Sequence, residues 1–198
     1  MNKRGGLLVM RTQFTLIAYA SWFALLLVWL PGYFTSRRVS VVRNPGLQLS
    51  ATALLAICFV LLFNPAMAGL NAPVTPHNAL PGLTGLALDF AGVAFAIWAR
   101  VVLGRNWSGM VMTVKIGHEL VQTGPYAIVR HPIYTGLILA MLGTALTLGT
   151  LASYLGVAAG LAAIIIRVNV EETLMSAQFR ELHQAYRQRT KKLIPFVW

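Results

Sequence analysis

Residues 131–166, HPIYTGLILAMLGTALTLGTLASYLGVAAGLAAIII, contain no Asp, Glu, Lys or Arg and lie between Arg130 and Arg167. Crossing the roughly 30 Å hydrocarbon core of a bilayer takes a helix of about 20 residues, at about 1.5 Å per residue. The stretch is far too long for one crossing and slightly short for two full ones. It predicts two short helices, about 133–148 and 151–166, joined tightly near Gly149-Thr150 as a membrane hairpin.

Three more apolar runs lie upstream. The first, about 14–30, ends at Pro31-Gly32. The second, about 47–63, is opened by Asn44-Pro45-Gly46 and closed by Asn64-Pro65. The third, about 80–103, stops at Gly104-Arg105. Proline and glycine are the residues that punctuate helices. The reading is therefore an all-α integral membrane protein of five transmembrane helices, one domain over residues 1–198. The N-terminal run is long for a signal peptide and no small-x-small cleavage site follows it, so it reads as a retained helix.

Composition agrees. Of the 198 residues 57% are hydrophobic and only 11% charged, where a soluble domain carries roughly 25%. Mean hydropathy is +0.68. Sixteen Lys and Arg stand against five Asp and Glu, a net charge of +11. These bases sit between the apolar runs rather than in a nucleic-acid stripe, which is the positive-inside pattern of a multi-pass protein. Residues 64–78 and the hairpin turn carry no Lys or Arg, so both are expected away from the cytoplasm. Arg37, Arg38, Arg43, Arg100, Arg105, Lys115, Arg130 and the basic tail are expected on the cytoplasmic side. Lys3, Arg4 and Arg11 run against this count. The lone Cys58 leaves no intrachain disulfide or cysteine-based metal site.

After Arg167 the pattern changes. In EETLMSAQFRELHQAYRQR (171–189), Leu174, Met175, Phe179, Leu182 and Tyr186 recur at helical intervals, predicting a short amphipathic cytoplasmic tail. His77 and His183 read as solvated loop and tail residues. Asp89, inside the third span, is either a functional carboxylate or a hydrogen-bonding pin between helices.

Polar chemistry concentrates in RNWSGMVMTVKIGHELVQTGPYAIVRHPIY (105–134) and in Arg167 with Glu171 and Glu172. Hairpin topology brings the two together at one membrane surface. Pro132 suits the first position of a helix, which places His131 at the N-cap. The free N–H groups there favour a carboxylate. Arg167 and Glu171, four apart, share a helical face. Each residue also has an ordinary explanation: His131 as a cap, Tyr126 and Tyr134 as interfacial aromatics, Arg167 and Glu171 as an intrahelical ion pair. No G-x-G-x-x-G, P-loop, H-E-x-x-H or Cys/His metal spacing is present.

From about residue 103 onward the ordered set LGRNWS, GHELVQTGPY, RHPIYTG and Arg-x-x-x-Glu-Glu resembles the isoprenylcysteine carboxyl methyltransferase family and its prokaryotic relatives. The resemblance implies a membrane methyltransferase without a Rossmann domain, using S-adenosylmethionine at the cytoplasmic membrane surface. By position it implies cofactor contacts at His118, Glu119, Leu120, Val121, Tyr126, His131, Pro132, Ile133, Tyr134 and Glu171, with Arg167 orienting the substrate. It divides the chain into a three-helix membrane part, 1–104, and a part comprising cofactor loop, hairpin and tail, 105–198. The implied acceptor is lipophilic, an isoprenylcysteine-like carboxylate, and the implied setting is a prokaryotic inner membrane. Rival readings are an NADPH-dependent sterol or enone reductase sharing the RHPxYxG run, a phospholipid methyltransferase, and a non-catalytic transporter or assembly subunit.

Overall fold

A computed structural model describes residues 3–35, 44–64, 69–76, 78–107 and 119–198, with side chains in the first helix from residue 9 to 31. Among the described residues there are five long helices: α1 Lys3–Thr35, α2 Pro45–Phe63, α3 Ala79–Leu103, α4 Pro132–Leu148 and α5 Leu151–Arg189. Four of the five are long and apolar enough to cross a membrane, and α4 is a shorter apolar helix. Among the described residues of the connection between α3 and α4 lie two 3₁₀ turns, Gly104–Asn106 and Gly124–Ala127. This is a multi-pass membrane protein.

The α4–α5 hairpin forms where the charge-free stretch places it. Gly149 closes α4 at φ 66°, the left-handed conformation that glycine adopts without a Cβ penalty. Thr150 then caps α5 by accepting from the Ser153 amide, and Ser153 reciprocates on the Thr150 amide. The loop after α2 seals this turn: Val74 N donates to Gly149 O at 2.8 Å, and Leu151 N donates to Ala72 O at 3.0 Å. The two segments without Lys or Arg thus lie at one end. The uncharged cluster of Pro76, Asn78 and Leu146 also borders Arg11, so Arg11 stands at the end opposite the bases of the tail.

α3 and α4 meet along a seam of small residues spaced 4-3-4. On α3 it is Gly85, Asp89, Gly92 and Ala96; on α4 it is Gly136, Ala140, Gly143 and Thr147. A methyl group added at Gly136 would lie 2.6 Å from the Gly92 carbonyl oxygen, and one at Gly143 would meet the Asp89 backbone. Apolar tails gain little by leaving lipid, so close backbone approach and buried hydrogen bonds supply the association. Asp89, fully buried, accepts from Ser21 Oγ at 2.5 Å and from Thr144 Oγ1 at 2.9 Å. Trp22 Nε1 donates to the same Thr144 oxygen at 2.9 Å. The carboxylate is therefore a pin joining α1, α3 and α4.

Two helices outrun their expected limits. α1 continues through Pro31 to Thr35; so near the helix end, proline removes a single backbone hydrogen bond. α5 does not stop at Ile166. It runs on to a kink at Arg180, at φ 41° and ψ −111°, and a second helical segment follows to Arg189. At about 1.5 Å per residue the part before the kink extends roughly 43 Å, beyond the apolar layer. After it the chain turns back: Arg130 N donates to Lys191 O at 2.8 Å and His131 N donates to Lys192 O at 3.0 Å. Thr135 Oγ1 donates to Leu193 O at 2.7 Å.

Candidate functional site

Pro132 starts α4 and His131 stands at its N-cap. Tyr134 sits on the first turn, and Arg167, Glu171 and Glu172 lie on α5 at the same level. The Tyr134 hydroxyl donates to Glu171 Oε1 at 2.5 Å and accepts from Arg167 Nε at 3.0 Å. Arg167 and Glu171, on one helical face, are thus bridged by a tyrosine from the neighbouring helix.

His131 uses both ring nitrogens on carboxylates. Nδ1 is 3.5 Å from Glu171 Oε2, and Nε2 is 3.0 Å from Glu172 Oε1. Burial alone would lower its pKa, but hydrogen bonds and charge from Glu171 and Glu172 outweigh burial and raise it above the ordinary histidine value. Glu172 in turn takes a two-pronged contact from Arg130, Nε at 2.8 Å and Nη2 at 3.0 Å. Arg130 Nη1 also donates to the Thr190 carbonyl at 2.5 Å, so the returning tail is held by the site itself.

Below these groups Tyr126 is buried, and its carbonyl accepts from the Tyr186 hydroxyl at 2.5 Å. Burial, with the nearby charge of Glu171 adding to it, pushes the Tyr126 hydroxyl well above its ordinary pKa.

All of this borders a cavity of about 450 Å³. Its charged end is formed by Glu119, Arg130, His131, Arg167, Glu171 and Glu172. Its other end is a chamber of Trp22, Leu25, Phe59, Phe63, Met141 and Ile164, drawn from α1, α2, α4 and α5. Polar recognition and an apolar pocket at membrane depth are continuous.

Of the residues singled out from sequence, Glu119, Leu120, Val121, Tyr126, His131, Ile133, Tyr134, Arg167 and Glu171 line this cavity. Pro132 is buried and sets the start of α4 without lining it. His118 lies outside the described residues, as do Lys115 and His77.

His183 is a correction. It is 2% exposed rather than solvated, its Nδ1 lies 3.0 Å from Ser176 Oγ, and it lines the cavity. Glu172 and Arg130 join the site as its structural centre; two adjacent carboxylates at the end of a span were the signal for the first. Trp29 of α1 also lines the cavity, with its ring 5.7 Å from that of Trp107 and its buried Nε1 without a hydrogen-bond partner among the described residues. An aromatic residue within an apolar span gave no sign of this.

The fold and the site define a polytopic helical membrane protein with a buried carboxylate–histidine–arginine cluster opening on a chamber at bilayer depth. The chain belongs to the phospholipid methyltransferase family, whose model matches residues 81–181. It is 33% identical over 106 residues to the protein-S-isoprenylcysteine O-methyltransferase of Schizosaccharomyces pombe, covering 50% of this chain and 43% of that protein. It is 30% identical over 115 residues to the cobalt-zinc-cadmium resistance protein CzcN of Cupriavidus metallidurans, covering 56% of this chain and 49% of that one. This chain therefore spans about half the length of the curated relatives it matches. In fold it is similar to a eukaryotic intramembrane Ras methyltransferase, isoprenylcysteine carboxyl methyltransferase, with a TM-score of 0.50 at 24% identity, covering 79% of this chain and 55% of that one.

Proposed function

We propose that this chain transfers a methyl group from S-adenosylmethionine to a lipophilic acceptor, by carboxyl O-methylation of an isoprenylcysteine-like molecule, at the cytoplasmic face of the membrane. The observation that carries the reading is the single cavity joining a charged end to an aromatic and aliphatic chamber.

The donor set fits the cofactor. Carboxylates Glu119 and Glu171 suit its ammonium and hydroxyl groups. The first-turn amides of α4, Ile133 and Tyr134, have no acceptor within their own helix and suit a carboxylate. Leu120, Val121, Tyr126 and His131 complete the wall, and His118 and Pro132 belong to the same set by sequence position. Bound there, the cofactor would supply a methyl group on a positively charged sulfur, for transfer to a carboxylate oxygen with release of the neutral thioether.

The chain's own groups do the rest. An acceptor carboxylate is ionised at neutral pH and needs no base. Arg167 offers it a fixed positive charge, held in place by Tyr134. The apolar chamber takes the lipid tail and keeps water from the reacting atoms, so alignment and desolvation lower the barrier. An amine acceptor, as in a phospholipid methyltransferase, arrives protonated and would require Glu171 to take a proton.

Detergent-purified protein should bind S-adenosylmethionine, be thermally stabilised by it, and methylate a prenylated cysteine carboxylate in preference to a phospholipid amine. Binding of NADPH in place of S-adenosylmethionine would install the reductase reading instead.

A further inference from the structure

The end of the chain builds a second recess, apart from the first chamber. Leu193 is buried in the bundle core, and the amides of Leu193 and Ile194 both donate to the Trp198 carbonyl, at 2.8 and 2.7 Å. Residues 193–198 thus close into a tight loop, with Phe196 in the left-handed region at φ 65°. The loop turns its apolar side chains outward: Phe196 is 95% exposed, and Ile194 and Val197 are exposed too.

Beside it lies a cavity of about 450 Å³ lined by Arg187, Lys191, Lys192, Gln188 and Trp198, with Arg130 at its floor. No aspartate or glutamate lines it among the described residues. Arg130 and Arg187 both lie against Glu172, at 2.8 and 3.8 Å, so the two lysines set its sign. Lys192 Nζ is held 3.1 Å from Asn169 Oδ1 and 5.7 Å from the Trp198 ring centroid.

That contact also fixes the depth. α5 begins at Leu151, at the turn on the opposite end, and Asn169 lies eighteen residues along it. At about 1.5 Å per residue the separation is roughly 27 Å, close to the hydrocarbon thickness of about 30 Å. The recess therefore stands at headgroup level. Exposed apolar side chains belong at that boundary, and lysines there meet phosphates.

We propose that this recess binds the phosphate of an anionic phospholipid headgroup, with Ile194, Phe196 and Val197 seated in the adjoining acyl boundary. The acidic headgroup is the occupant because Lys191 and Lys192 line the recess with no aspartate or glutamate among the described lining residues.

The test is titration of the full-length, detergent-purified chain with short-chain phosphatidylglycerol, phosphatidylcholine and inorganic phosphate, read by native mass spectrometry and thermal midpoint. Phosphatidylglycerol should bind saturably and at least about ten-fold more tightly than phosphatidylcholine. The K191Q/K192Q variant should lose about 30-fold of that affinity, the attraction of two lysines to an anionic surface. K191R/K192R should retain it, which separates loss of charge from loss of fold. Equal affinity for the two lipids, or unchanged affinity in the glutamine variant, overturns the proposal. So does complete displacement of phosphatidylglycerol by millimolar inorganic phosphate, which would make this a soluble-anion site.

Discussion

Tyr134 donates its hydroxyl to Glu171 at 2.5 Å while taking a hydrogen bond from Arg167, so one oxygen couples the two charged residues assigned different partners. Tyr134→Phe removes that oxygen and keeps the ring. A hydrogen bond to a charged group contributes about 1.5–3 kcal/mol. We expect the thermal midpoint to fall by the equivalent of that loss, and cofactor affinity and turnover, corrected for folded fraction, each to fall roughly ten-fold or more. Calorimetry and a methyl-transfer assay on the same preparation check this.

Arg167→Ala and Glu171→Ala should separate. Arg167 can only donate and attract anions, whereas ionised Glu171 can only accept. Loss of Arg167 should impair acceptor use far more than cofactor binding, and loss of Glu171 should weaken cofactor binding itself. Truncating one partner of a desolvated charge contact costs about 2–5 kcal/mol, within range of a titration corrected for folded fraction. Equal, small losses from both variants would reduce the pair to a structural ion bridge.

His131 gives the pH dependence. Its pKa in the folded protein is raised by Glu171 and Glu172 above the free imidazole value of about 6.5. A raised folded value means that its stabilising contribution is complete below about pH 6.5 and is lost as pH rises through the folded value. The unfolding midpoint should therefore decline across that rise, and His131→Gln should flatten the decline. A midpoint that climbs through the same interval in the parent protein would contradict the assignment.

The seam between α3 and α4 leaves no room for a side chain at Gly92 or Gly143. Gly92→Leu should lower the thermal midpoint sharply or prevent folding, since overpacking costs about 1–3 kcal/mol and more where backbone is in the way. Gly46→Ala, where nothing lies nearby, should leave it nearly unchanged. Melting curves in detergent compare the two.

Topology gives the last test. From the basic residues of the tail and the uncharged loop before α3 we expect a cytoplasmic C-terminus. A reporter fused after Trp198 should be active only on that side; activity on the other would invert the orientation and the face on which the cofactor is met.

Much of this was legible beforehand because membrane helices announce themselves by length and by absence of charge. The hairpin could be read from its missing charges and the Gly149-Thr150 pair. Convergence of RHPIY with Arg167 and Glu171 followed from topology alone. That α5 runs on past Arg167 as far as Arg180 was not legible, because at Arg167 the pattern changes from uniformly apolar to amphipathic. His183 was misread for the same reason: a polar residue in a polar stretch gives no sign of burial. Nor could the pairing of residues 129–131 with 191–192 be foreseen, since it rests on backbone groups. The 4-3-4 spacing of small residues lay in plain view, but hydropathy ignores which apolar residues are small.

That pairing has a consequence for biosynthesis. Arg130 finds its carbonyl partner on Thr190, sixty residues later in the chain. At about 5–20 residues per second of synthesis, the RHPIY segment waits roughly 3–12 s for the strand that fastens it. The helices can enter the bilayer in order during that interval, but the segment is fastened only once residues 190–192 have been made. A chain released short of residue 190 would be inserted with that segment unfastened.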